Sequence, residues 1–89
     1  LINVPLSRPL QTKDGEVKSL TFRDPEMGDL IAGEAVGNGN QTATVLATLA
    51  SMAGITYLEA KKIAPRDFLR INEATAALLG NDVPATGEA

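Results

Sequence analysis

QTATVLATLASMAGITYLEAKKIAPRDFLRINEATAALLG, residues 41–80, holds almost all of the periodic apolar content of the chain and decides how it folds. Val45, Leu46, Leu49, Met52 and Ala53 recur at helical spacing and give a first helix one apolar face. Gly54 stands where a helix C-terminus needs a residue free to take positive φ. Thr56-Tyr-Leu-Glu59 has the form of a capping box, so a second helix is expected to start at once. Ala64-Pro65 then cuts the chain again, because proline fits the first turn of a third helix, where its missing N–H costs nothing. Phe68, Ile71, Thr75 and Leu78 trace that helix's inner face, and Gly80 is expected to end it.

Ahead of this stretch, residues 2–23 read as a β-hairpin. Ile2, Val4 and Leu6 alternate with polar residues or proline, and Leu20 and Phe22 do the same on the return. A two-residue Asp14-Gly15 loop would put Leu20 and Phe22 on the face opposite Leu6 and Leu10. A three-residue loop from Lys13 to Gly15 pairs Leu6 with Phe22 and Arg8 with Leu20, and leaves only Val17 on the far side. One residue of slip exposes a whole apolar set, so the longer loop is expected, with Gly15 left-handed. Pro5 and Pro9 cannot donate to a ladder, so the first strand should lie at an edge or break near Ser7.

Asp24-Pro25-Glu26 reads as a helix start with Asp24 as N-cap. Met27, Leu30 and Ile31 give that helix a short apolar stripe, and it is expected to end by Val36-Gly37. Asn40 or Thr42 is available to cap the helix that follows. The expected architecture is α+β: an N-terminal hairpin, then four short helices, in one domain over residues 1–80 with a disordered tail at 81–89.

With 89 residues, about 60–65% of the unfolded chain's surface can be buried. Two Phe, one Tyr and no Trp leave the core to aliphatic residues, so stability should be modest and self-association would help. Eight basic against eleven acidic residues, net −3, disfavour nucleic-acid binding, which rests on Lys and Arg neutralising phosphate. Without Cys there is no thiol nucleophile or zinc-thiolate site, and without His the commonest metal ligand and neutral-pH base is gone. No cofactor and no enzymatic activity are expected. No apolar run approaches the ~20 residues of a membrane span and no signal peptide is visible, so a soluble intracellular protein is expected. The chain opens on Leu1 rather than Met, so a few residues are expected to be missing ahead of it.

Four features were candidates for chemistry. Asp24, Glu26, Asp29 and Glu34 lack the alternating spacing and central glycine of a metal loop, and the first three read as complements of a helix N-terminus. Lys61, Lys62, Arg66 and Arg70 read as a solvated face laced with Glu59, Asp67 and Glu73, and as the polar rim of an interface. Gly37-Asn-Gly-Asn40 lacks the strand before and the lysine after that a phosphate loop needs, so it reads as a hinge. Val45, Leu46, Leu49 and Met52 read as core in preference to an exposed binding face.

Two blocks of these residues resemble the small tail assembly chaperones of long-tailed bacteriophages, in particular those of Mu-like phages. The first is Val4-x-Leu6-x-x-Pro9, Gly15, Leu20-Thr-Phe22-Arg23-Asp-Pro25 and Asp29-Leu30. The second is Leu46-Ala-Thr-Leu49-Ala-Ser-Met52-Ala-Gly54-Ile55, followed by Ile63 and Asp67-Phe68. The resemblance implies a non-enzymatic protein of the host cytoplasm, absent from the finished virion. It would bind the long helical tape-measure protein and keep it soluble while the tail tube assembles, with a longer frameshifted form in many members. A helix-in-groove contact suits that task, and the surface around Met52, Tyr57, Leu58 and Arg66 is the expected binding face. Two other readings compete: a structural or adaptor subunit that self-assembles in the tail or connector, and a small helix-turn-helix regulator around Gly54-Ile-Thr. The low pI and the lack of a basic recognition helix count against the regulator.

Overall fold

The computed structural model describes residues 1–79; Gly80 and the expected tail at 81–89 lie outside the described residues. Strands β1 (Ile2–Thr12) and β2 (Gly15–Phe22) form an antiparallel hairpin. Helices α1 (Met27–Gly37), α2 (Gln41–Ala53), α3 (Tyr57–Ala60) and α4 (Pro65–Thr75) follow. The core gathers Val4, Leu6, Leu10, Leu20 and Phe22 of the hairpin against Leu49 and Met52 of α2 and Ile71 of α4.

The hairpin register differs from expectation. Thr12 faces Gly15 across a two-residue turn of Lys13 and Asp14, and Leu10 faces Val17. Ile2 faces Phe22 and Val4 faces Leu20, in place of the expected Leu6–Phe22 and Arg8–Leu20 pairs. Thr12 closes the short turn: its hydroxyl donates to the Gly15 carbonyl at 2.9 Å and accepts the Asp14 N–H at 3.2 Å. Gly15 does take positive φ, at 104°.

The pairing slips between Pro5 and Leu10, where the two prolines interrupt the ladder. The slip is an odd number of residues, and that settles a conflict no single register could resolve. On β1, Val4, Leu6, Leu10 and Thr12 all stay inward. On β2, Leu20 and Phe22 face inward at one end, and after the slip Val17 packs against the core at the other.

The first helix starts two residues later than expected, with extended Glu26 as its N-cap instead of Asp24. The Asp29 carboxylate accepts the Glu26 N–H at 2.7 Å, while the Asp24 carbonyl is held outside the helix by the Arg23 guanidinium at 3.1 Å. The apolar stripe of α1 turns outward: Met27 is 68% exposed and Ile31 62%. Its buried residues are Asp29, Gly33 and Gly37, and the two glycines pack on Thr44 and Thr48 of α2.

The ends of α1 and α2 and the starts of α2, α3 and α4 agree with the sequence reading, but α4 stops at Thr75, short of the Gly80 expected to end it, and residues 76–79 continue as turns. Asn40 caps α2 by accepting the Ala43 N–H, and Gly54 ends it at φ 75°. Thr56 and Glu59 form the capping box of α3, which is a single turn. Pro65 opens α4, whose Ile71 and Thr75 are sealed in the core, with Phe68 half-buried beside them.

Candidate protein-binding surface

The four expected contact residues are not all on one surface. Met52 is 2% exposed and belongs to the core beneath β2, so no partner reaches it directly. Tyr57 is half-buried on α3, with the Lys61 ammonium 5.6 Å from its ring centroid. Leu58 is 70% exposed on the same turn. Arg66 is exposed at the start of α4, its Nε donating to the Ser7 hydroxyl at 2.7 Å.

Beside Tyr57 and Arg66 runs an open apolar groove of about 220 Å³ between α2 and the α3–α4 connection. Leu46, Ala60, Ile63, Pro65 and Phe68 line it, and Lys61 stands at its rim. The expected face missed the groove because Leu46 and Phe68 both sit at core-like spacing in the sequence. In the fold both are only half-buried and line the groove together.

The basic group is built differently from the helical lacing expected. Among the described residues the sole ion pair on this face is Arg70 with Asp67, at 3.4 Å. The other contacts tie the helices to β1. Arg70 donates to the Pro5 carbonyl at 3.0 Å, and Arg8 reaches the Lys62 carbonyl at 2.9 Å. Asp67, fully buried, accepts the N–H groups of Ser7 at 2.9 Å and Arg8 at 3.2 Å. These are donors that the slip in the ladder leaves without strand partners. Burial pushes the Asp67 carboxyl up, but those two N–H groups and Arg70 outweigh it and leave it below the ordinary carboxylate range. Glu59 likewise joins α3 to the hairpin turn, accepting the Thr56 N–H at 2.9 Å and the Lys13 N–H at 2.6 Å.

A second polar junction lies at the other end of α2. Arg23, at the end of β2, forks onto Asp29 of α1 at 2.7 and 2.9 Å, and the Ser51 hydroxyl of α2 donates to the same carboxylate. Arg23 also binds the last turn of α2, its guanidinium donating to the Ser51 carbonyl and its N–H to the Met52 carbonyl, both at 3.3 Å. The hydrogen bonds from Arg23 hold Asp29 well below the usual carboxylate range against the effect of burial, with Ser51 and the Glu26 N–H adding to it. Both residues therefore serve architecture, locking β2, α1 and α2 together. Among the described residues no three His, Cys, Asp or Glu side chains are placed to hold a metal. No helix among them is long and apolar enough to cross a membrane.

The arginine before Pro25 and the aspartate after it thus form the joint that sets α1 and α2 on the end of the hairpin. Residues 3–80 match the family model described as phage tail assembly chaperone proteins, E, or 41 or 14. The chain belongs to that family. The match takes in the hairpin, the Arg23–Asp29 joint and all four helices. Among the curated proteins and the solved structures nothing matches the chain. Membership of a phage tail assembly chaperone family points to a protein partner in tail assembly and to a non-enzymatic role.

Proposed function

We propose that this phage tail assembly chaperone binds the tape-measure protein in the host cytoplasm and keeps it soluble until tube subunits enclose it. The observation that carries the reading is the family match over residues 3–80. The groove between α2 and α4 supports it physically. A tape-measure chain is a long amphipathic helix that aggregates alone, and an apolar groove with a cationic rim covers one stripe of such a helix. The proposed contact surface is the groove together with Tyr57, Leu58 and Arg66, and Met52, a core residue, is left out of it.

Co-expression with the tape-measure protein of the same phage, followed by mass measurement by light scattering, tests this. A soluble complex that forms only when both chains are present is the expected result. If the tape-measure protein stays insoluble and the chaperone elutes alone, the reading fails. The two-stranded sheet keeps a second reading in play, because each strand of the hairpin has one edge that pairs with no other described strand. Detection of the protein in purified particles would favour a structural or adaptor subunit assembled through that edge.

A further inference from the structure

Helix α1 is turned the wrong way round for a helix that serves only its own core. Its large apolar residues face outward, with Met27 68%, Ile31 62% and Leu30 39% exposed. The side facing α2 is made of Gly33 and Gly37 instead. A Cβ on Gly33 would lie 2.0 Å from the Thr48 Oγ1, and one on Gly37 would lie 1.9 Å from the Thr44 Oγ1. These contacts admit no side chain, so the close approach of the two helices fixes the rotation of α1 and holds Met27 and Ile31 in solvent. Leu30 continues the stripe into a hollow of about 150 Å³ that it shares with Val45 and Leu79. Stripe and hollow form one surface of the kind that marks an interaction site.

The charge around this surface says what covers it. Asp24, Glu26 and Glu34 surround the stripe, and none of them has a salt-bridge partner among the described residues. No Lys or Arg occurs from residue 24 to residue 60, and the nearest cation, Arg23, is spent on Asp29. Two copies meeting α1 to α1 would bring like charges together. We propose that α1 docks an amphipathic helix whose apolar stripe is flanked by Lys and Arg, laid along Met27 and Ile31 with one large side chain seated against Leu30, Val45 and Leu79. This surface is separate from the groove between α2 and α4 and opposite to it in charge, so the proposal stands whether or not that groove holds the tape-measure protein.

The test uses two synthetic helical peptides with the same leucine stripe, one flanked by Lys and Arg and the other by Glu, titrated calorimetrically into the full chain. The basic peptide is expected to bind and the acidic one not. Affinity should fall about tenfold in Ile31→Ser and in Glu34→Lys, the former by loss of a central apolar contact and the latter by charge reversal. Both positions are exposed, so both variants should keep the wild-type circular dichroism. Chemical-shift changes on isotope-labelled protein should fall on α1. Absence of binding, equal binding of the two peptides, indifference to Ile31→Ser or shifts confined to α3 and α4 would each overturn the proposal. So would an Ile31-dependent dimer of the chain alone, which would give the surface to a second copy. No tape-measure protein enters this experiment, so its failure and a failed co-expression are read separately.

Discussion

Asp29 and Asp67 are almost sealed from water, yet both remain ionised, because each is surrounded by donors that the fold supplies. Asp29 takes two bonds from Arg23, one from Ser51 and one from the Glu26 N–H. Asp67 takes the Ser7 and Arg8 N–H groups, with Arg70 alongside. Both folded-state values are depressed, whereas an unfolded Asp titrates near about pH 3.9. On acidification the unfolded chain therefore takes up these protons first. The stabilisation is complete above about pH 5 and is lost as the pH falls toward the folded values. The midpoint of urea unfolding should drop steeply between about pH 5 and pH 2. Asp29→Asn should be less stable than wild type at neutral pH and show a shallower dependence over the acid range. An unchanged slope in that variant would mean the carboxylate is not linked to folding. The sequence marked Asp29 as a helix-terminus complement, and it is one. That it also bridges β2 and α2 was not legible, since Arg23 and Ser51 reach it only through the fold.

At the scale of elements, the contact between α1 and α2 rests on missing side chains. Gly33→Ala should drive a methyl group into Thr48 and into the Thr44 carbonyl, which stands 2.7 Å from the Cβ position. A destabilisation of about 1–3 kcal/mol is expected from such overpacking. Gly28 lies on the same helix with nothing within 4 Å of its Cβ position. Gly28→Ala should instead stabilise by about 0.5 kcal/mol, through the lower entropy of the unfolded chain. Paired urea titrations of the two variants, of opposite sign, check the packing of α1 without reference to any partner. Helix ends were legible where chemistry is local: Asn40, Gly54, the Thr56–Glu59 box and Pro65 all lie where their short-range rules put them. The start of α1 was not, because Asp24 competes with Glu26 for the cap, and the neighbouring Arg23, itself held by the last turn of α2, binds the Asp24 carbonyl.

Across the whole molecule, Asp67 joins residues 60 positions apart by holding the interrupted part of β1 against the first turn of α4. Asp67→Ala would orphan two N–H groups, and a loss of about 2–4 kcal/mol is expected from denaturant unfolding. A loss below about 1 kcal/mol would show that water satisfies those groups and that the slip does not depend on α4. The sequence by itself determined the α+β order, the four helices, the side of β1 that faces inward and the absence of any histidine or cysteine chemistry. Those follow from periodicity, capping residues and composition, which act within a few residues. Only the tertiary structure decided the odd slip that brings Val17 inward with Leu20 and Phe22, since it needs a carboxylate from α4 to satisfy the freed backbone. It alone decided that Met52 is core while Leu46 and Phe68 line a groove, because residues of α2, the α3–α4 connection and α4 meet there only in the fold. And it turned Met27 and Ile31 outward, because two glycines of α1 and two threonines of α2 pack too closely for any other rotation of α1.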